Sequence, residues 1–498
     1  MPTANRVNIE RNKTIYKDQA TNNSKYIRKL SNLERMYLWS PYSDVSMVIK
    51  ISGNVSEERL YNALDIILQM HPLAGAKIVL DDEYNAWLST DNVPKPTIKS
   101  VRRVSDTQWF DELRHEIQIP FNPETGPLIR FVLLHSETLS DLVIICNHSI
   151  CDGMSLVYLV RDLLNNYKNP EKEIKVIPPI DIINLFPSEG FSLQSVIMKL
   201  VMGRANRKWE KKPYRFTHKD AVALQDAYWE KYKFNTVLLE LEPAETESLL
   251  EKCRNKGVSI GSAVITAFIA AHEDLVAPFA GNQKQLWVPF DLRRHATTPI
   301  DDVFCFCVGA PRFSYTYKSN RSFWDNCLVM HKEIHKRVKE LDSAAIETPD
   351  FDPALLDALS AFALLKDTIP EAYAKTENLS RFIQDEKNIA FSFAKKSAHM
   401  IPGTIASNLG RLDIPEIYGD LKIEKMIFIP VISDSIPLNL GGISIGNNMV
   451  FSMSYAELRD VQSPITKEKI DVRNRALDYL GFPDNRSECN SEYSTKQC

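Results

Sequence analysis

Cys146-Asn147-His148-Ser149-Ile150-Cys151-Asp152-Gly153-Met154-Ser155 closes one apolar run, DLVIICNH (141–148), and opens another, MSLVYLVRDLLNNY (154–167). The first run reads as a buried strand and the second as an amphipathic helix. A His at the exit of a strand can present its imidazole to a cleft, and its ordinary pKa near 6.5 suits proton transfer at neutral pH. Gly153 allows a sharp turn that other residues resist. Asp152 either orients the ring or pins the loop through an ion pair. The plainer alternative is a core His at a strand–turn–helix junction, with Asp152 as the helix cap.

Outward from this stretch, strand and helix signals alternate. LIRFVLLH (128–135) pairs naturally with 141–148 as a hairpin across SETLS. VSMVIKIS (45–52) predicts a strand, SEERLYNALDIILQM (56–70) a helix capped by Ser56, and 106–117 a further helix. A charged, Pro-bearing stretch at 168–190 looks like a linker, and 191–216 begins apolar and turns basic. Strands are then predicted at 235–242, 285–292 and 303–313, with helices at 243–255, 259–273, 322–341 and 352–396. The end is strand-rich (403–409, 425–432, 442–445, 449–456) and closes with a helix at 466–480. No period of 20–50 residues appears, which excludes a solenoid. The expected fold class is α/β, two lobes of mixed sheet: 1–178 carrying the His motif, 179–219 as linker and basic segment, and 220–498 as the second lobe.

Composition narrows the function classes. A chain of 498 residues that is 44% hydrophobic can bury a large core. Its 60 Lys+Arg against 64 Asp+Glu leave no global charge to draw it to nucleic acid. No window approaches eighteen uncharged apolar residues, and 1–18 lacks the apolar core of a secretory leader. Eight cysteines without CxxC spacing read as free thiols in a reducing compartment, so a cytoplasmic location is expected.

The motif His148-x-x-x-Asp152-Gly153 resembles that of the superfamily containing chloramphenicol acetyltransferase and nonribosomal peptide synthetase condensation domains. Polyketide-associated acyltransferases and alcohol acetyltransferases are further members. Four other segments match in order: Ser31-Asn32-Leu33-Glu34-Arg35-Met36-Tyr37, Gln69-Met70-His71-Pro72-Leu73, Pro289-Phe290-Asp291-Leu292-Arg293 and Ala406-Ser407-Asn408-Leu409-Gly410. Many relatives carry two successive His where this chain has Asn147-His148. The Arg-His-Glu element of condensation domains becomes Met70-His71-Pro72, which turns the resemblance toward free-standing acyltransferases.

The resemblance implies a two-lobed chloramphenicol-acetyltransferase-like fold with the site in a channel between the lobes. It implies transfer of an acyl group from a thioester to a hydroxyl or amine, with His148 as general base. Asp152 is the structural Asp, with Arg293 as its expected partner and Gly153 beside it; an unpaired buried Asp would be costly. Asn147, Ser407 and Asn408 are candidate oxyanion or substrate contacts. No metal and no permanently bound cofactor are implied; acyl-coenzyme A or a phosphopantetheine thioester is the co-substrate. The partners implied are a small-molecule or lipid acceptor and an acyl carrier protein, with no nucleic acid. Two other readings stay open: a stand-alone condensation enzyme, and a non-catalytic binding protein of the same fold.

Three further signals have plainer readings. Gly442-Ile443-Ser444-Ile445-Gly446 spells a nucleophile elbow, but a strand rather than a helix follows, so a hairpin is expected. His331 and His335 share a helix face without a third ligand, among Lys332, Lys336 and Arg337, which favours a solvated surface. The basic run Lys199, Arg204, Arg207, Lys208, Lys211, Lys212 and Arg215 reads as a solvated helix; attraction of coenzyme A phosphates, a carrier protein or a peripheral membrane contact are the functional options.

Overall fold

Strand Asp44–Ser52 occupies the middle of a sheet and is buried along most of its length, as its β-branched residues Val45, Val48, Ile49 and Ile51 favour. The fold is a computed structural model that describes residues 26–171, 173–180, 193–296, 300, 302–340, 350–398, 400–459 and 465–483. The N-terminal stretch 1–18, the centre of the linker (181–192), Cys489 and Cys498 lie outside the described residues.

Among the described residues, two six-stranded mixed sheets organise the molecule. The first runs Ile417–Tyr418, Leu421–Ile429, Asp44–Ser52, Leu139–Asn147, Ile129–His135, Ile98–Arg102. Its last pair is parallel and the others antiparallel. The second runs Arg312–Ser314, Gln285–Trp287, Thr404–Arg411, Leu438–Ile445, Asn448–Leu458, Tyr232–Leu241, with Thr404–Arg411 parallel to both its neighbours. The mixed α/β class expected from the alternation is the one observed.

The two sheets are not built from two separate halves of the chain. Leu421–Ile429, within the stretch assigned to the second lobe, crosses over and pairs with Asp44–Ser52, Phe428 opposite Met47. One apolar core accordingly holds residues from Leu30 to Ala456. A second lies between the second sheet and helices Pro243–Lys256, Ile260–Leu275, Phe323–Lys339 and Ile465–Leu480. No single helix among the described residues is long and apolar enough to cross a membrane. Ile260–Leu275 is apolar because its residues Ser262–His272 are buried inside the second core.

Several local expectations hold for local reasons. Ser56 caps Glu57–Met70 by accepting from the Arg59 N–H. Gly446-Asn447 turns the hairpin between Leu438–Ile445 and Asn448–Leu458, with Gly446 at φ +55°, so Ser444 is a strand residue and no elbow exists there. His331 Nδ1 accepts from the Ser259 N–H at 3.1 Å, which commits that nitrogen to the helix cap.

Others need correction. The continuous helix expected over 352–396 is four pieces: Pro353–Phe362 (its second half wound as a wider turn), Pro370–Ala374, Glu377–Gln384 and Ile389–Ala398. Pro370 has no N–H to extend the helix, Thr376 starts the next by accepting from Leu379, and an Asp385–Asn388 turn ends it. The basic segment is amphipathic rather than wholly solvated. In Leu193–Trp209, Met202, Ala205 and Trp209 are buried while Arg204, Arg207 and Lys208 are exposed.

Candidate active site

The site begins with a turn. Leu139–Asn147 ends at Asn147, and helix Gly153–Lys168 starts six residues later. Between them the backbone is held at each step: His148 N–H donates to the Ser43 carbonyl at 2.9 Å and Ile150 N–H to the Asn147 carbonyl at 3.2 Å. The His148 Nδ1 lies 2.7 Å from the Cys151 carbonyl oxygen. A carbonyl can only accept, so this contact places the proton on Nδ1 and leaves the Nε2 lone pair as the ring's basic site. The ring is half-buried between Tyr37 (centroids 4.4 Å) and Phe306 (5.0 Å). Burial lowers its pKa below 6.5, against the opposing pull of the Cys151 carbonyl and Asp152.

Asp152 caps the helix and pins it to the other half of the chain. Oδ1 accepts from the Ser155 N–H at 2.7 Å, and Oδ2 accepts from the Cys307 N–H at 2.8 Å. Arg293 Nη1 meets Oδ2 at 2.9 Å, and Nη2 meets Oδ1 at 3.3 Å. Arg293 also donates to Asp291 and to the carbonyls of Val303 and Cys305. One Asp152 carboxylate is thus both helix cap and ion-pair partner. Asp152 is 1% exposed and Arg293 6%, so these many partners are what offset the cost of burying two charges.

The same network explains why 303–313 is not the expected strand. The run VFCFC (303–307) is buried, but its polar backbone groups are taken by side chains. Cys305 N–H donates to Ser155 Oγ, Cys307 N–H to Asp152, and the Val303 and Cys305 carbonyls accept from Arg293. Only Val308–Gly309 and Arg312–Ser314 are strands. The predicted strand 285–292 is broken likewise, into Gln285–Trp287 and Phe290–Asp291 around Val288-Pro289.

Gly153 is present for a different reason than its turn. Its φ is not in the left-handed region; it is the first residue of the helix. A Cβ there would stand 2.8 Å from Leu409 Cδ2 and 2.9 Å from Phe428 Cζ. Close packing of the helix start against the second half of the chain requires the glycine. Leu409 belongs to the Ser407-Asn408-Leu409-Gly410 segment, which is thereby brought to the helix that follows His148. Ser407 pairs with Gly441 in the second sheet. Asn408 Oδ1 accepts from the Gly410 N–H at 2.9 Å, at a bulge where Gly410 has φ +74°.

Asn147 is turned to another set of partners. Its Nδ2 donates to Asp44 Oδ1 at 3.2 Å, and its Oδ1 accepts from the Ser149 N–H at 3.1 Å and the Ser149 hydroxyl at 2.6 Å. Asp44 and Asn147 line a cavity with Leu38, Phe121, Leu128 and Gln225. Burial raises the Asp44 pKa to about 6, against the pull of Arg130 and the Asn147 amide.

The remaining motifs are structural. Arg35 forms a buried two-point ion pair with Asp357 (2.8 and 2.8 Å), which Trp39 Nε1 joins at 2.9 Å. His71 Nε2 lies 2.9 Å from Asp162, itself paired with Arg161. Tyr37 and Ser155 lie inside quoted motifs that give them no role of their own, and Phe306 and Asp357 stand outside every motif. Ser155 carried a legible signal, since it stands three residues after a cap. Phe306 was hidden inside an apolar run that reads as ordinary core.

Comparison with known proteins finds the same fold elsewhere. The family model described as the condensation domain matches residues 33–271. Polyketide synthase associated protein 5 from Mycobacterium tuberculosis is similar in structure, with 15% identity and a TM-score of 0.56 over 91% of this chain and 98% of that one. The TRI3 trichothecene 15-O-acetyltransferase from Fusarium sporotrichioides has 13% identity and a TM-score of 0.57 over 91% and 95%. The first condensation domain of the CDA synthetase has 12% identity and a TM-score of 0.55 over 93% and 99%.

Proposed function

We propose that this chain, which shares the fold of condensation domains and related acyltransferases, transfers an acyl group from a thioester to a hydroxyl or amine, with His148 as the general base. The observation that carries this reading is the Nδ1 contact to the Cys151 carbonyl, which leaves a neutral ring with its lone pair on Nε2.

In the proposed step Nε2 takes the proton of the acceptor's O–H or N–H as that atom bonds to the thioester carbonyl carbon. The tetrahedral intermediate collapses, the C–S bond breaks, and the leaving thiolate recovers the proton from Nε2. No covalent enzyme intermediate is needed, because the thioester is already activated. Holding both substrates against one base supplies much of the acceleration. Ser407 and Asn408 are the candidate donors to the oxyanion. The donor is acyl-coenzyme A or a carrier-bound phosphopantetheine thioester, and the acceptor a small molecule or lipid.

The test is release of free thiol from a panel of acyl-coenzyme A donors, with and without acceptor, by wild type and His148→Ala. Acceptor-dependent release that disappears in the variant supports the reading; equal release by both overturns the role of His148. Turnover confined to carrier-loaded thioesters would identify a condensation enzyme. Thioester binding without turnover in wild type would identify a binding protein.

A further inference from the structure

We propose that Asp44 and Asn147 are positioning residues for His148, acting together through Ser149; the catalytic consequence rests on the acyl-transfer reading above. Asp44 and Asn147 stand directly opposite each other at the ends of neighbouring strands. The Asp44 carboxylate holds the Asn147 amide by its Nδ2, and the Asn147 Oδ1 holds both the N–H and the hydroxyl of Ser149. Asn147 and Ser149 flank His148 in the chain. The residue before Asp44, Ser43, accepts the His148 N–H itself. His148 is thus gripped on both sides by the start of one strand, and its ring is left in register with the Cys151 carbonyl.

The polar contacts of this arrangement are made within the protein. Asp44 and Asn147 are each 8% exposed and Ser149 is fully buried. Both polar ends of the Asn147 amide are engaged within the protein, and the cavity it lines includes Asp44 and not His148. An alanine at 147 leaves the buried Asp44 carboxylate and the Ser149 hydroxyl without their partner. The turn then has no reason to keep the geometry in which Nδ1 reaches the Cys151 carbonyl. A base displaced by about 1 Å can cost about 100-fold in rate.

The experiment compares Asn147→Ala, Asp44→Ala, Asp44→Asn and the Asp44→Ala/Asn147→Ala double variant. The first readout needs no substrate: 15N NMR of histidine-labelled protein, with His148 assigned by its loss in His148→Gln, reports which ring nitrogen carries the proton. Wild type is expected to show the Nδ1–H form, and Asn147→Ala and Asp44→Ala a shift toward Nε2–H. The second readout is thiol release. The kcat of Asn147→Ala is expected to fall about 100-fold with little change in KM, and the double variant to be no worse than Asn147→Ala alone. Asp44→Asn, which keeps an acceptor oxygen, should recover most of what Asp44→Ala loses. Folded Asn147→Ala and Asp44→Ala proteins that retain the wild-type tautomer would overturn the proposal. Should Asn147→Ala fail to fold, Ser149→Ala carries the same comparison, since it removes one bond from a site that remains filled. A tautomer shift in a protein that turns over no thioester would sustain the positioning of His148 and overturn the acyl-transfer reading.

Discussion

Arg293 reaches Asp152 across 141 residues of sequence, with its Nη1 2.9 Å from the carboxylate that caps the helix after His148. The contact joins the two halves of the chain at the point where the proposed base is held. It also uses every face of the carboxylate, since Ser155 and Cys307 take the remaining positions. Truncating Arg293 therefore leaves Asp152 as a buried charge without its counter-ion, and truncating Asp152 leaves the buried Arg293 with Asp291 alone.

Asp152→Ala is expected to lose about 3–5 kcal/mol of stability, the range for breaking a buried ion pair from one side. Urea unfolding of wild type and variant measures it. A loss under about 1 kcal/mol would mean that solvent reaches this carboxylate after all, and that the pair is worth no more than a surface one.

Gly153→Ala should cost about 1–3 kcal/mol through overpacking, because the new methyl meets Leu409 Cδ2 at 2.8 Å and Phe428 Cζ at 2.9 Å. Adding Leu409→Ala makes room on one side. The double variant is expected to be less destabilised than the sum of the two single changes, as melting of all three proteins would show.

The pH dependence of activity follows from His148. Burial lowers its pKa in the folded protein, so the neutral, basic ring persists below 6.5. The acid limb of kcat/KM should have its midpoint under that value. Folding favours the neutral ring, so its contribution to stability is present above 6.5 and is lost as the pH falls toward the lowered value. Asp44, raised to about 6, titrates in the same range; the limb that persists in Asp44→Asn belongs to His148. A midpoint above 6.5 in that variant would contradict the desolvated ring.

Asp357→Ala is expected to destabilise by about 3–5 kcal/mol, since it strands the buried Arg35 guanidinium and removes the acceptor of Trp39 Nε1. Asp357→Asn should cost less, as it keeps an acceptor for both. Chemical denaturation of the two variants separates the charge from the hydrogen bonds.

Much of the site was legible because it is local. A cap is made by residues three apart, so Asp152 and Ser56 announce their helices. A two-residue hairpin is set by its own turn, so Gly446-Asn447 excluded a nucleophile at Ser444. The pairing of Arg293 with Asp152 came from the resemblance and from the cost of an unpaired buried charge. Nothing in the spacing alone selects one arginine from the many in the chain. The strand expected at 303–313 is absent over 303–307 because burial and apolarity do not say where backbone polar groups find their partners. Here side chains of Ser155, Asp152 and Arg293 replace a neighbouring strand.

The α/β class, the Gly446-Asn447 hairpin, the capped starts of Glu57–Met70 and Gly153–Lys168 and the His148-x-x-x-Asp152-Gly153 turn are legible in the sequence, because each depends on periodicity or hydrogen bonds among near neighbours. The tertiary structure decided what those residues meet. It carried Leu421–Ile429 into the first sheet and made Gly153 a point of close packing rather than a turn. It also gave the Asn147 amide to Asp44 and Ser149. Such choices depend on which distant groups are buried together, where every polar group must be matched, and no local pattern records the match.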